Sequence, residues 1–170
     1  MNYMMIRTDD MLNGDGLRVV LFCTACDHKC KNCHNPETWD KNAGKKFDKN
    51  AKAEIMKELK NDYISGITFS GGDPLHDSNL DDVYDLCNEI KNNFDNKSIW
   101  LYSGYTYEEI IERNIVKAKK ILELVDIFVD GKFIEELSDV NYHWAGSTNQ
   151  RIIDMKATGN AEIPVLWEQK

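Results

Sequence analysis

Short apolar runs rich in β-branched residues alternate along this chain with segments of helical period, and that alternation constrains the fold more than any other feature. Gly16 to Cys23 is an apolar run of the kind that forms a strand covered on both faces. Behind the candidate caps Asp48 and Asn50, Ala51, Ile55 and Leu59 recur at helical spacing, and Ile64 to Ser70 reads as a second strand, completing one βαβ unit. Gly71-Gly72-Asp73-Pro74 then breaks the chain. Ser78 is a candidate cap for a helix with the apolar face Leu80, Val83, Cys87, Ile90 and Phe94, on which Cys87 is a small buried hydrophobe. Ser98 to Tyr102 is a third strand, and Thr106 with Glu109 makes a capping box ahead of Ile110 and Ile111. A further helical segment runs through Ile121, Leu122 and Val125 to a fourth strand, Asp126 to Val129, ended by Asp130-Gly131-Lys132. Arg151 to Asp154 is a fifth strand; the tail from Lys156 to Lys170 is poorly patterned, except for Val165-Leu166-Trp167, which is read as packing back.

Strands alternating with helices imply a parallel sheet with right-handed crossovers. The 170 residues fit one domain spanning the whole chain. Four or five strands are too few to close an eight-stranded barrel, so the expected fold is α/β, an open partial (βα) barrel with a curved parallel sheet. Its open side can admit something large. Parallel topology also gathers the loops after the strands on one rim, and function is expected there. That rim collects the segment after Cys23, the Gly71-Gly72-Asp73 turn, Tyr102-Ser103-Gly104, Asp130-Gly131-Lys132 and Asn149-Gln150.

The segment from Thr24 to about Lys46 is long for a loop inside a compact domain, which points to function, and it carries Cys26, Cys30 and Cys33 as C-x3-C-x2-C. Three thiolates on one short loop can hold three corners of a [4Fe-4S] cube and leave the fourth iron open for a small molecule. Cys23 offers an alternative, because C-x2-C-x3-C-x2-C can close around tetrahedral zinc as a structural knuckle. Zinc ribbons usually separate their cysteine pairs by a dozen residues or more, and Cys23 ends a strand whose thiol is expected in the core. His28 and His34 are read as polar or substrate-facing side chains rather than ligands.

Composition excludes several classes. A net charge of −8 lacks the basic footprint of a nucleic-acid binder. No apolar stretch is long enough to span a bilayer, and the first residues do not read as a secretory leader. Four of the five cysteines fall between Cys23 and Cys33, which is not a distributed disulfide framework. The expectation is a soluble, cytoplasmic protein with neither nucleic acid nor membrane as partner.

Thr68-Phe69-Ser70-Gly71-Gly72-Asp73-Pro74 places two residues without side chains at a strand end, where backbone can approach a ligand closely. Asp73 then offers a carboxylate to a cation such as a cofactor amino group, and Ser70 a further hydrogen bond.

With these residues in view, the chain resembles the radical S-adenosylmethionine (SAM) enzymes, and within them the activators of anaerobic, class III ribonucleoside-triphosphate reductases. The resemblance runs in order through Asn13-Gly14-Asp15-Gly16, Arg18, the cysteine triplet, Asn35 to Trp39, Ser70 to Leu75, Ser103-Gly104-Tyr105, Val129 to Phe133, and Trp144 with Gly146 to Gln150. It implies that Cys26, Cys30 and Cys33 hold a [4Fe-4S] cluster whose open iron is chelated by SAM. It further implies that Asn32 and His34 lie along SAM and that Gly72 and Asp73 contact its methionine end. Reductive cleavage of SAM then gives methionine and a 5'-deoxyadenosyl radical, which takes a hydrogen atom from a glycine of the large reductase subunit. The implied partners are that subunit and a low-potential electron donor such as flavodoxin or ferredoxin. Two positions depart from the pattern: Asn32 stands where many members carry an aromatic residue, and Ala145 where the subgroup often has arginine. An activator of a different glycyl-radical enzyme is the nearest alternative, although such relatives often carry an added ferredoxin-like cysteine insert and this chain has none. A zinc-stabilised binding module and a fully ligated electron-transfer protein are the readings from other classes.

Overall fold

The computed structural model describes residues 1–159, 161 and 163–168. Its sheet contains β1 (Asn2–Asp10), β2 (Arg18–Cys23), β3 (Lys45–Lys46), β4 (Gly66–Gly71), β5 (Ser98–Tyr102), β6 (Ile127–Asp130) and β7 (Arg151–Asp154). The spatial order is β3-β1-β2-β4-β5-β6-β7. The four central strands β2, β4, β5 and β6 are parallel, as the alternation of strands and helices requires. The flanks are not: β1 runs antiparallel to β2, β3 to β1 and β7 to β6. The sheet is therefore mixed rather than wholly parallel, and among the described residues it does not close into a barrel, β3 and β7 being its outermost strands.

Among the described residues five α-helices accompany it: α1 (Lys49–Glu58), α2 (Leu80–Asn93), α3 (Tyr107–Arg113), α4 (Val116–Leu124) and the single turn α5 (Met155–Thr158). Asp48 caps α1 by accepting from the amides of Asn50 and Ala51, and Thr106 with Glu109 forms the expected capping box on α3. Ser78 does not cap α2. The residue before that helix is Asn79, and the Ser78 hydroxyl is bonded to His76 Nδ1 at 2.8 Å instead. No helix of the described residues is long and apolar enough to cross a membrane.

The period-two alternation of the strands sorts their side chains between two different environments. Val19, Leu21, Ile67, Phe69, Ile99, Leu101 and Phe128 face the helices, all fully buried, each contributing roughly 1.5–3 kcal/mol of apolar burial. Cys23 belongs to this set, and Cys87 meets it from α2. On the other face stand Arg18, Thr68, Ser70, Trp100, Tyr102, Ile127 and Val129. Arg18 is fully buried there, donating to Thr68 Oγ1, Ser98 Oγ and the carbonyls of Asp15, Ile67 and Ser98, with its guanidinium over the Trp100 ring. Burial lowers its pKa to about 10, so it stays charged at neutral pH as a clamp across β2, β4 and β5.

Among the described residues no helix covers this second face; loops and the 165–167 segment do. The β1–β2 connection lies over it, since Thr68 Oγ1 donates to the Asn13 carbonyl at 2.7 Å and a Cβ at Gly14 would fall 2.9 Å from the Trp100 ring. Trp144 and Trp167 pack edge-on to Trp100 at ring separations of 5.6 and 5.5 Å. Trp167 donates its amide to the Ile152 carbonyl and Leu166 bridges to Ile153, so the Val165-Leu166-Trp167 segment does pack back. Residues 160, 162, 169 and 170 of the expected tail lie outside the described residues.

Candidate active site

The segment leaving β2 is fixed before it reaches its first ligand candidate. Thr24 donates its amide to Asn2, and its carbonyl accepts from Asn79 Nδ2 at 2.7 Å; the same amide nitrogen donates to the Asp73 carbonyl at 2.8 Å. Buried Asn79 thus ties the cysteine loop to the turn after β4. Within the loop, Ala25, Lys29 and Asn32 adopt left-handed backbone with φ of 72°, 47° and 53°. Each such residue costs roughly 1 kcal/mol or more outside glycine. Backbone held in this way persists only where its surroundings over-determine it, and it clusters at functional sites.

These turns bring Cys26, Cys30 and Cys33 to one cavity of about 490 Å³ on the face of the sheet opposite the helices. Ser70, Gly71 and Gly72 form part of its wall, as do His28 and His34. The triplet is half-buried, and the Asn35 amide lies 3.4 Å from Cys33 Sγ, oriented as a donor to the sulfur. Burial pushes the Cys26 thiol up to about 11 and raises that of Cys30 as well, so both keep their protons at neutral pH until a metal displaces them. Cys23 is on the other face, fully buried, with its sulfur 4.0 Å from that of Met1 and its thiol pushed up to about 12 by burial. The period-two alternation of β2 therefore separates it from the triplet and removes it from a four-thiolate zinc knuckle. Among the described residues no three His, Cys, Asp or Glu side chains converge on one point as ligands of a single ion. A cube makes no such demand, since each thiolate binds a different iron at a different corner.

Asp73 does not line the cavity. It is 1% exposed, and its carboxylate accepts from His28 Nε2 at 2.7 Å, from Ser103 Oγ at 3.0 Å to both oxygens, and from the amides of Gly104 and Leu75 at 3.2 and 2.8 Å. Its own amide donates to the Ala25 carbonyl at 2.7 Å. With this many protein donors the carboxylate is satisfied inside the fold, and it joins the cysteine loop, the glycine turn and the Ser103-Gly104 turn. Asn32 also points elsewhere: its exposed side chain bonds to Glu135 outside the cavity.

The two glycines fit closely. Gly71 has φ of 97°, and a Cβ at Gly72 would fall 2.6 Å from the Ala25 carbonyl oxygen. Gly72 also donates its amide to the Cys23 carbonyl at 2.8 Å. The absence of side chains here lets the turn pack against the cysteine loop as well as face the cavity. His34 stands at the cavity with its ring 4.9 Å from that of Phe133, which lines it too.

Further wall residues come from segments with no periodic pattern to flag them. Met11, Leu12 and Asn13 belong to the β1–β2 connection, and Tyr142, His143, Trp144 and Ala145 to the loop before β7. Gln150 fastens that loop, since its Oε1 accepts from the amides of Gly146 and Ser147 while its Nε2 donates to Gly131. Tyr102 adds a hydroxyl bond to the Trp144 carbonyl at 2.8 Å. Asp130 and Lys132 do not pair. Asp130 is buried and holds Arg151 and the amide of Tyr107, while Lys132 is exposed.

Comparison with known proteins agrees with this geometry. A family profile described as a 4Fe-4S single cluster domain matches residues 12–153. A protein of Enterobacteria phage T4 is 41% identical over 152 residues, covering 89% of this chain and 93% of its own length. One from Vibrio cholerae is 38% identical over 154 residues, with 89% and 97% covered, and one from Escherichia coli K12 is 37% identical over 152 residues, with 88% and 96% covered. All three bear the name anaerobic ribonucleoside-triphosphate reductase-activating protein. At this identity over nearly the full length of each partner, the chain belongs to the family of anaerobic ribonucleoside-triphosphate reductase-activating proteins.

Proposed function

We propose that this protein activates an anaerobic ribonucleoside-triphosphate reductase by generating a glycyl radical on its large catalytic subunit. The observation that carries the reading is the separation of Cys23 from Cys26, Cys30 and Cys33: three thiols reach the cavity and the fourth is turned into the core. Three thiolates suit a [4Fe-4S] cluster with one open iron. When bound, such a cluster would supply the electron for reductive cleavage of SAM, the chemistry needed to take a hydrogen atom from the glycine of the reductase.

The chain's own residues bind and orient. Cys26, Cys30 and Cys33 hold the cluster. The backbone of Ser70, Gly71 and Gly72 receives the methionine end of SAM, and the His34 and Phe133 rings offer an aromatic face to adenine. Asp73 acts indirectly, by holding His28 and the turns around it. We further propose that residues 1–170 form a single radical SAM domain, that its open sheet curves as a partial (βα) barrel, and that the protein works in the cytoplasm. A low-potential donor of the flavodoxin or ferredoxin type supplies the electron.

The test is anaerobic. Protein reconstituted with iron and sulfide is mixed with the reductase subunit, SAM and a low-potential reductant. A glycyl radical doublet in the electron paramagnetic resonance spectrum is expected, with 5'-deoxyadenosine and methionine, and deuterium at the glycine Cα collapses the doublet. Cleavage of SAM with consumption of a small molecule and no radical on the reductase refutes the assignment.

A further inference from the structure

Three of the chain's four tryptophans meet in one triangle, and of these Trp144 lines the cavity while Trp100 and Trp167 do not. The rings pack edge-on at 5.6 Å between Trp100 and Trp144, 5.5 Å between Trp100 and Trp167, and 5.3 Å between Trp144 and Trp167. Trp100 is a fixed point, 2% exposed on β5 and held against the Arg18 guanidinium. Trp144 is not intrinsically fixed. Its φ of 56° puts a bulky residue in left-handed backbone, a conformation that persists only where its neighbours over-determine it. The Tyr102 hydroxyl holds its carbonyl, and Gln150 holds the amides of Gly146 and Ser147 just after it. Those bonds fix the backbone; the ring is gripped by Trp100 and Trp167.

Trp167 comes from outside the shared domain. The family profile ends at Ile153, and the three relatives are matched over 93–97% of their own length but 88–89% of this chain. The segment 165–167 nevertheless pairs along β7 as a strap. The Asp154 amide donates to the Val165 carbonyl at 2.9 Å, the Trp167 amide to the Ile152 carbonyl at 2.8 Å, and the Val165 amide to Thr158 Oγ1 at 2.9 Å. Val165 and Leu166 are 44% and 57% exposed, whereas Trp167 packs on the apolar cluster of Trp100, Ile127 and Val129, as Trp144 and Ala145 do. The strap thus delivers one ring, and it delivers that ring to Trp144.

We propose that Trp167 is a positioning residue for the cofactor cavity: it holds Trp144 in the turn that shapes the wall receiving SAM, so a segment beyond the shared domain sets cofactor affinity. The inference rests on the reading of this cavity as the SAM site. Without the Trp167 ring, Trp144 loses one of its two tryptophan neighbours while its left-handed backbone stays unfavourable. The loop from Tyr142 to Gly146 then samples other conformers. The apparent dissociation constant for SAM rises as the fraction of molecules with a formed wall falls, so a fall to about one tenth raises it about tenfold.

The experiment uses the full chain and two readouts. Hydrogen exchange of the cluster-free protein follows the Gly146 and Ser147 amides, and calorimetry of the anaerobically reconstituted protein, with no reductant present, gives the SAM dissociation constant. In Trp167→Ala both should rise about tenfold, while iron and sulfide content and exchange of the central-strand amides Ile67 to Phe69 stay as in the parent. Trp167→Phe, which keeps a ring against Trp144, should restore most of both. Leu166→Ala, which changes the exposed neighbour on the same strap, should match the parent and separate the ring from the strap's backbone pairing. Parental loop exchange in Trp167→Ala, or faster exchange with parental SAM affinity, overturns the proposal; so does an equal effect of Leu166→Ala. Failure of the cofactor reading looks different, since the parent protein itself then binds no SAM.

Discussion

His28 Nε2 lies 2.7 Å from Asp73 Oδ2, with both side chains more than nine-tenths buried. One residue belongs to the cysteine loop and the other to the glycine turn, so this hydrogen bond joins the two segments that build the site. The carboxylate is the acceptor, which places the donor hydrogen on Nε2. The His28 ring is held on its other sides by Tyr105, edge-on at 4.5 Å, and by Gly104, where a Cβ would come within 2.3 Å of the ring.

Asp73→Asn should loosen the cysteine loop rather than abolish a direct SAM contact. The amide that replaces one oxygen presents hydrogens to Ser103, Gly104 or His28, which are donors already. Breaking buried bonds to a charged acceptor costs about 1.5–3 kcal/mol. Denaturant melts of the cluster-free variant should show that loss, and iron should pass to a chelator several-fold faster from the reconstituted form. Iron release at the parental rate would disprove the role of Asp73 as a strut.

The cysteine variants separate ligands from core. Serine at Cys26, Cys30 or Cys33 should abolish the cluster in anaerobic iron and sulfide analysis. Serine at Cys23 should leave cluster content intact while lowering stability by about 1–3 kcal/mol, because a hydroxyl replaces a thiol among apolar neighbours. A Cys23→Ser protein that folds normally and holds no iron would restore the four-thiolate reading.

What the sequence disclosed and what it hid follow from the same physics. The central strands are buried on both faces, so β2, β4, β5 and β6 stand out as apolar runs, and the C-x3-C-x2-C spacing places the ligand candidates directly. β1 was hidden because Asn2 to Asp10 is mostly half-exposed and mixes Met, Arg, Thr and Asp without alternation; tertiary pairing with β2 makes it a strand. The antiparallel direction of β7 is equally invisible, since a four-residue run carries no sign of its direction. Asp73 reads in the sequence as a carboxylate offered to a cation, because a turn sequence does not reveal which side chains will be enclosed. Only the fold brings Ser103 and His28 from other loops around it. Asn79 had no local signal either, because one of its two acceptors, the Thr24 carbonyl, lies on the distant cysteine loop.

Gly72 serves two surfaces at once, and its substitution should show both. A side chain there meets the Ala25 carbonyl oxygen before it meets any ligand. Gly72→Val should therefore lower cluster content together with SAM affinity, read by iron analysis and by calorimetry on the same preparation. Full iron content with weakened SAM binding would make Gly72 a cofactor contact alone.

Arg151 joins Glu108 and Asp130, and removing Glu108 should differ in its effect from removing Arg151. Its guanidinium donates to Glu108 at 3.0 and 2.6 Å and to Asp130 Oδ1 at 3.0 Å. Hydrogen bonding from Arg151 holds the Glu108 carboxyl below the usual glutamate range, against a smaller opposing effect of burial. A carboxylate with a depressed folded-state pKa adds stability above its unfolded value of about 4.3 and loses it as pH falls through the folded value. Glu108 is partly exposed, so solvent screening limits the gain to about 1 kcal/mol or less, which is roughly 2–4 °C for a chain of this size. The melting temperature of the cluster-free protein should thus exceed that of Glu108→Gln by a constant margin from pH 8 to pH 5.5, and the margin should close below about pH 4. Arg151→Ala should behave otherwise, since it leaves the buried Asp130 without its cation and costs about 3 kcal/mol or more at neutral pH. A Glu108→Gln margin that persists or widens in acid would show that Arg151 is not the cause of the shift.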